Sequence, residues 1–345
     1  LVQWFSFFIN DLLGASGNTQ RLLKVPTSEA ASITDLADQL KTGKVEKLFI
    51  VGGNPVYDAP ADLDWPLVQQ QAAEVIRLGY WNDETSAAAG TNLLLPHYLE
   101  TWGDGETMDG TYVPVQPMIE PLMDSVCELE FLATLCGRPE VDPYKIVQKT
   151  FADRSGNAGA GFETFLAVGV LPESGYDALQ PSAAGAAVVQ AIKANPTPAP
   201  GVASARNLEV LFAPSGHTLD GRFANNGWMM ECPDAMTKLT WDNAILISPR
   251  LAKELQKETG IQIFQDPNVM TEMGQLQRNS AQYKRGKEQA PIAILKVNGT
   301  ELRGPVHVLP GMANYSVVVP VGFGRDISGP VGQGVGFNAN PAIPS

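Results

Sequence analysis

The chain's 345 residues suit about two domains of ordinary size, and 44% hydrophobic against 18% charged residues allows a substantial core. A net charge of −13 excludes nucleic acid as a partner, since a polyanion requires clustered Lys and Arg; the charge reads as a solvated surface. No apolar run approaches the roughly 20 residues of a membrane-spanning helix.

The stretch Leu1 to Leu13 predicts a helix ending at Gly14. Its apolar residues, Phe5, Phe8, Ile9, Leu12 and Leu13 among them, cover most of the helix surface, which points to burial. It is too short to cross a bilayer and lacks the basic start of a signal peptide. That abrupt start, and the tail Asn340 to Ser345, read as a piece of a longer polypeptide. A polar helix is expected over 28–42, with Ile33, Leu36 and Leu40 three to four apart. A strand at Leu48 to Val51 then stops at Gly52-Gly53-Asn54-Pro55. A helix over 67–73, a strand over 75–80, a helix over 82–89 and a strand over 93–95 follow. Strand, turn, helix, strand in this rhythm means a parallel sheet covered by helices, so residues 1–150 read as an α/β domain.

Residues 151–204 are rich in Gly, Pro and Ala and read as a connection running over the surface, with a helix available at 183–194. Residues 205–345 carry β-branched runs at 208–212, 244–247, 292–297, 306–309 and 316–321. One helix is expected at 249–258, with Pro249 at its first position and Gly260 just past its end. Asn298-Gly299 marks a tight hairpin, and 275–289 reads as an exposed polar loop. Many strands with few helices call for a closed or nearly closed barrel.

Cys127, Cys136 and Cys232 are too few and too scattered for an iron–sulfur cluster or a zinc site. Cys127 and Cys136, flanking a helical pattern, read as small buried thiols. His97, His217 and His307 are far apart, so no metal site is expected.

The Gly52-Gly53-Asn54 turn has two readings. Glycine-freed backbone N–H groups at the end of a parallel strand suit a phosphate. Against this, Asp58, Asp62 and Asp64 follow, with no Lys or Arg from Val51 through Glu74. At an effective dielectric near 20, a charge pair at 4 Å is worth roughly 4 kcal/mol before desolvation. Acids there oppose the roughly 0.3–1 kcal/mol that a helix terminus contributes to anion binding. Arg222, between Gly221 and Asn225-Asn226, likewise reads either as a bidentate phosphate clamp or as a partner of a nearby Asp.

Three strings occur in order: Gly52-Gly53-Asn54-Pro55, then Asp83-Glu84-Thr85, then Leu95-Pro96 with Glu100 and Gly103. Together they resemble the third domain of the molybdopterin oxidoreductase family. Asn92 departs from the Asp usual there. Ile247-Ser248-Pro249, Gly304-Pro305-Val306 and Val321-Gly322-Phe323-Gly324 resemble that family's C-terminal barrel domain. The resemblance implies a Rossmann-like parallel-sheet domain followed by a β-barrel of the double-psi type. Narrower strings run from His97 to Asp104, from Asp220 to Trp228 and from Lys238 to Asn243. These resemble the large iron–sulfur subunit of bacterial alternative complex III, a quinol:electron-acceptor oxidoreductase.

That resemblance implies a non-catalytic scaffold without its own cofactor, on the periplasmic side of the membrane. Its expected partners are a ferredoxin-like domain, cytochrome c subunits and other subunits of a respiratory complex. Iron–sulfur clusters are expected only in a downstream part. The alternative is the gripping half of an active enzyme binding molybdopterin guanine dinucleotide, in which Gly52, Gly53, Asn54, Asp83, Glu84, Thr85 and Arg222 would contact the cofactor. No residue is assigned a catalytic role.

Overall fold

A computed structural model describes residues 2–157, 159–179, 185–194, 201–263 and 290–345. The chain is α/β and forms two compact units that do not follow the expected segments 1–150, 151–204 and 205–345. One unit joins Leu1–Ala31 to Leu93–Ala199; the other joins Ser32–Asn92 to Pro200–Ser345.

In the second unit, Ser32 and Asp35 close a capping box that starts the helix Ile33–Lys41, later than the expected 28. The strand Lys47–Val51 pairs in parallel with Glu74–Gly79, Leu48 opposite Val75 and Val51 opposite Leu78. Thr91–Leu94 completes a three-stranded sheet with Glu74–Gly79 in the middle. Alternate residues Leu48, Ile50 and Val75 pack on Ala37, Leu40, Trp65 and Val68, an apolar layer between strands and helices. The expected helix over 67–73 is instead the turn-length helix Trp65–Val68 running into a 3₁₀ turn, Gln69–Gln71.

The same unit carries a five-stranded mixed sheet, in the order Ile292–Val297, Thr300–Val308, Ile245–Ile247, Ser316–Val321 and Glu209–Pro214. Its first two strands form the expected hairpin, with Asn298 (φ 50°) and Gly299 (φ 82°) as the left-handed two-residue turn. The helix Pro249–Thr259 packs Leu251 and Ala252 against Ile245, Val317 and Val319. Ser248 caps its start and Gly260 (φ 71°) ends it. The 275–289 loop lies outside the described residues.

The first unit has its own core of Tyr112, Val147, Phe151, Phe162 and Phe165. Tyr112 stacks on Phe165 at 5.2 Å between ring centroids, and Arg154 lies over the Tyr112 ring, 4.6 Å from its centroid. The reading of 151–204 as a surface connection therefore fails for its first part. The helix Phe162–Val168 is short, but its aromatic pair fills this core. The predicted burial of the first helix, Val2–Leu12, fails too. Phe5, Phe8, Ile9 and Leu12 are exposed, because apolar content creates a demand for burial that only a facing element can meet. Cys127 is buried and caps the helix Glu128–Leu135 through its sulfur, whereas Cys136, expected to be buried, is exposed just past that helix. Among the described residues, no helix is long and apolar enough to cross a membrane.

Candidate functional site

The Gly52-Gly53-Asn54 turn, the Asp83-Glu84-Thr85 string, Arg222 and the glycine-rich segment after Val321 all belong to the second unit. Gly52 (φ 64°) and Gly53 (φ 56°) are consecutive left-handed residues. Nothing lies within 4 Å of where a Cβ on Gly52 would sit, so backbone conformation rather than crowding requires glycine there. The Gly52 N–H donates to the Leu78 carbonyl at 2.9 Å, and its own carbonyl accepts from Arg77 Nη1 at 2.7 Å.

The reversal aims Asn54 at the acid–Thr string. Asn54 Oδ1 accepts from Thr85 N (3.1 Å) and Thr85 Oγ1 (2.6 Å), while Asn54 Nδ2 donates to Glu84 Oε2 (2.7 Å). Thr85 Oγ1 in turn accepts from Val56 N at 3.1 Å. Glu84 then reaches across 241 residues of sequence to Arg325. Its Oε2 takes Arg325 Nη2 at 2.6 Å. Its Oε1 takes Arg325 Nε at 3.3 Å and the amides of Asp326 and Ile327, each at 3.1 Å. Burial pushes the Glu84 carboxyl up, but the bonds from Arg325, Asn54 and Ile327 outweigh that and hold it below the usual carboxylate value.

Asp83 turns the other way. It forms a buried ion pair with Arg77 and accepts Ser86 N at 2.8 Å, capping the short helix Glu84–Ala88. Arg222 closes onto its own neighbour: Nε lies 2.9 Å and Nη2 2.7 Å from the two Asp220 oxygens. Asp58 faces this pair. It keeps surface open to solvent, yet the protein crowded around its carboxyl and the charge of Asp220 raise its pKa to about 6, against the opposing pull of Arg325 and Arg222.

The structure thus brings Asn54, Glu84 and Thr85 into one network. Gly52 is tied through Arg77 to Asp83, and Arg222 stands apart on Asp220. Sequence reasoning missed the residue that organises the network, Arg325. It also donates to the Gly221 carbonyl (2.9 Å) and the Ile327 carbonyl (2.9 Å), with its guanidinium 5.3 Å from the centroid of Tyr57. Tyr57 donates its hydroxyl to the Phe323 carbonyl at 2.7 Å, and its backbone carbonyl accepts from Asn340 Nδ2 at 3.0 Å. The signals were present: Tyr57 lies two residues past Pro55, Arg325 directly follows Gly324, and Arg77 is the one charge in the expected strand over 75–80.

No protein-family model matches the chain, and no curated protein matches it. Solved structures do: acetylene hydratase from Pelobacter acetylenicus superposes with a TM-score of 0.60 at 14% identity, over 90% of this chain and 43% of that one. The fold is molybdopterin oxidoreductase-like. The chain spans less than half the length of this neighbour, and at such low identity the likeness speaks for fold alone.

A fold of this kind raises the question of a pterin dinucleotide. The side chains that the family pattern nominates do not fit one as they stand. Asn54, Glu84 and Thr85 spend their polar atoms on each other and on Arg325, and Arg222 is neutralised by Asp220. Asp58, ionised at neutral pH, would repel a polyphosphate. Among the described residues no three His, Cys, Asp or Glu side chains group closely enough to hold a metal ion.

Proposed function

We propose that this chain is the molybdopterin-oxidoreductase-like body of a respiratory quinol:electron-acceptor oxidoreductase, retaining the fold as a scaffold without its own cofactor. In this reading the five-stranded mixed sheet is the core of a double-psi barrel. The body positions a ferredoxin-like neighbour and docks cytochrome c and membrane subunits on the periplasmic face. The observation that carries the reading is the self-satisfied network: the carboxylate of Glu84 occupies the donors of Asn54 and Arg325 that an anionic ligand would otherwise draw on. Metal analysis of the intact subunit tests it. Molybdenum and tungsten far below one atom per chain are expected, and a stoichiometric content defeats the proposal.

One observation favours the alternative, the gripping half of an active enzyme. His217 Nε2, Thr218 Oγ1 and Ser328 Oγ are buried without a hydrogen-bond partner within the protein, and such atoms are costly unless something satisfies them. Acid extraction of a guanine-containing pterin from purified subunit would establish that reading.

A further inference from the structure

The surroundings of Glu84 are those of a bound anion. Two carboxylate oxygens collect five N–H donors: Asn54 Nδ2, Arg325 Nε and Nη2, and the consecutive amides of Asp326 and Ile327. A guanidinium fork together with two adjacent backbone amides is the chemistry by which proteins hold free carboxylates and phosphates. Here the occupant arrives on the chain's own Glu84, with its side chain 12% and that of Arg325 7% exposed. The cradle is held from behind. Arg325 is fixed by the carbonyls of Gly221 and Ile327, and Asn54 by both polar groups of Thr85. Donors fixed by other contacts keep their aim when the anion leaves.

We propose that Asn54, Arg325 and the amides of Asp326 and Ile327 form a preorganised carboxylate site that the chain fills with Glu84 as a tethered internal anion. The tether closes the site to external anions in the native protein, and removing it creates a receptor for a small carboxylate. Because Glu84 joins the Asn54 turn to the segment after Gly324, the same contact locks residues 32–92 to residues 200–345.

The test is thermal unfolding of the full chain as wild type, Glu84→Ala and Glu84→Gln, in formate, acetate, phosphate or chloride at equal ionic strength. Glu84→Ala is expected to lower Tm by more than about 5 °C, a size set by breaking a buried charge pair. Formate is expected to restore at least about half of that loss in a saturable manner, as linkage to a bound ligand requires, while wild type shifts no more than in chloride. Phosphate, larger than the carboxylate it replaces, is expected to restore less. Equal effects of formate and chloride on Glu84→Ala, or an equal formate shift in wild type, overturn the proposal. Glu84→Gln decides the case if the alanine variant does not fold. Its amide turns a donor toward Arg325 and Asn54, so a clear loss of Tm is expected. An unchanged Tm overturns the proposal.

Discussion

Replacing Asp83 by asparagine isolates a single electrostatic contact. Arg77 and Asp83 form an ion pair whose side chains are 4% and 7% exposed. Arg77 is held on its other side by the Gly52 carbonyl at 2.7 Å. Asparagine keeps an oxygen for Ser86 N and is as good a helix cap as aspartate, so the cap survives. What changes is the charge: a buried guanidinium is left without its counterion and faces an amide donor. Breaking such a pair from one side costs about 3–5 kcal/mol. For a unit of this size that is a fall in Tm of roughly 10 °C. A second perturbation reaches the same pair from the strand. A Cβ on Gly79 would lie 2.7 Å from Arg77 Cζ, so Gly79→Ala displaces the guanidinium from Asp83. Calorimetry on the two single variants and the double variant checks both points. Since each breaks one contact, their effects are expected to be well short of additive. A loss below about 1 kcal/mol for Asp83→Asn, or strict additivity of the pair, refutes the reasoning.

Other expectations follow from the same geometry. Asp58, with its pKa raised to about 6, binds a proton more readily folded than unfolded, so its contribution to stability falls as pH rises from about 4 to 6. Asp58→Asn is expected to raise stability at pH 7 by about 1 kcal/mol after solvent screening, and to change it far less at pH 4; Tm measured at both values checks the sign. Asn243, buried, donates to the carbonyls of Pro320 (2.9 Å) and Phe337 (3.0 Å) and accepts Phe337 N (2.9 Å). Asn243→Leu orphans these backbone groups and is expected to cost more than about 3 kcal/mol in urea unfolding. Phe165→Ala empties the centre of the aromatic core in the other unit and is expected to cost about 3–5 kcal/mol. Hydrogen exchange should show that loss concentrated in residues 93–179 and little changed across the Lys47–Val51 strand.

Much of the local structure was legible without coordinates. Ser248, Pro249 and Gly260 mark both ends of one helix, and Asn298-Gly299 marks a hairpin, because caps and two-residue turns act over a few neighbouring residues. The apolar run Leu48 to Val51 announced a strand, although only Leu48 and Ile50 of it are buried, and the double glycine after it announced the turn. The candidate site was half legible. Asn54, Glu84 and Thr85 do meet, but as partners of one another and of Arg325 rather than as donors held open to solvent.

What the amino-acid order determined alone is therefore the ends of several elements and the α/β character, since propensity, capping and hydrophobic period are short-range properties. The tertiary structure decided what those elements are for. Whether the first helix is covered, whether Phe162 and Phe165 join a core, and which cation meets Glu84 depend on surfaces far apart in the chain. A charge in an apolar setting announces only that it needs a partner; the fold alone chooses which one.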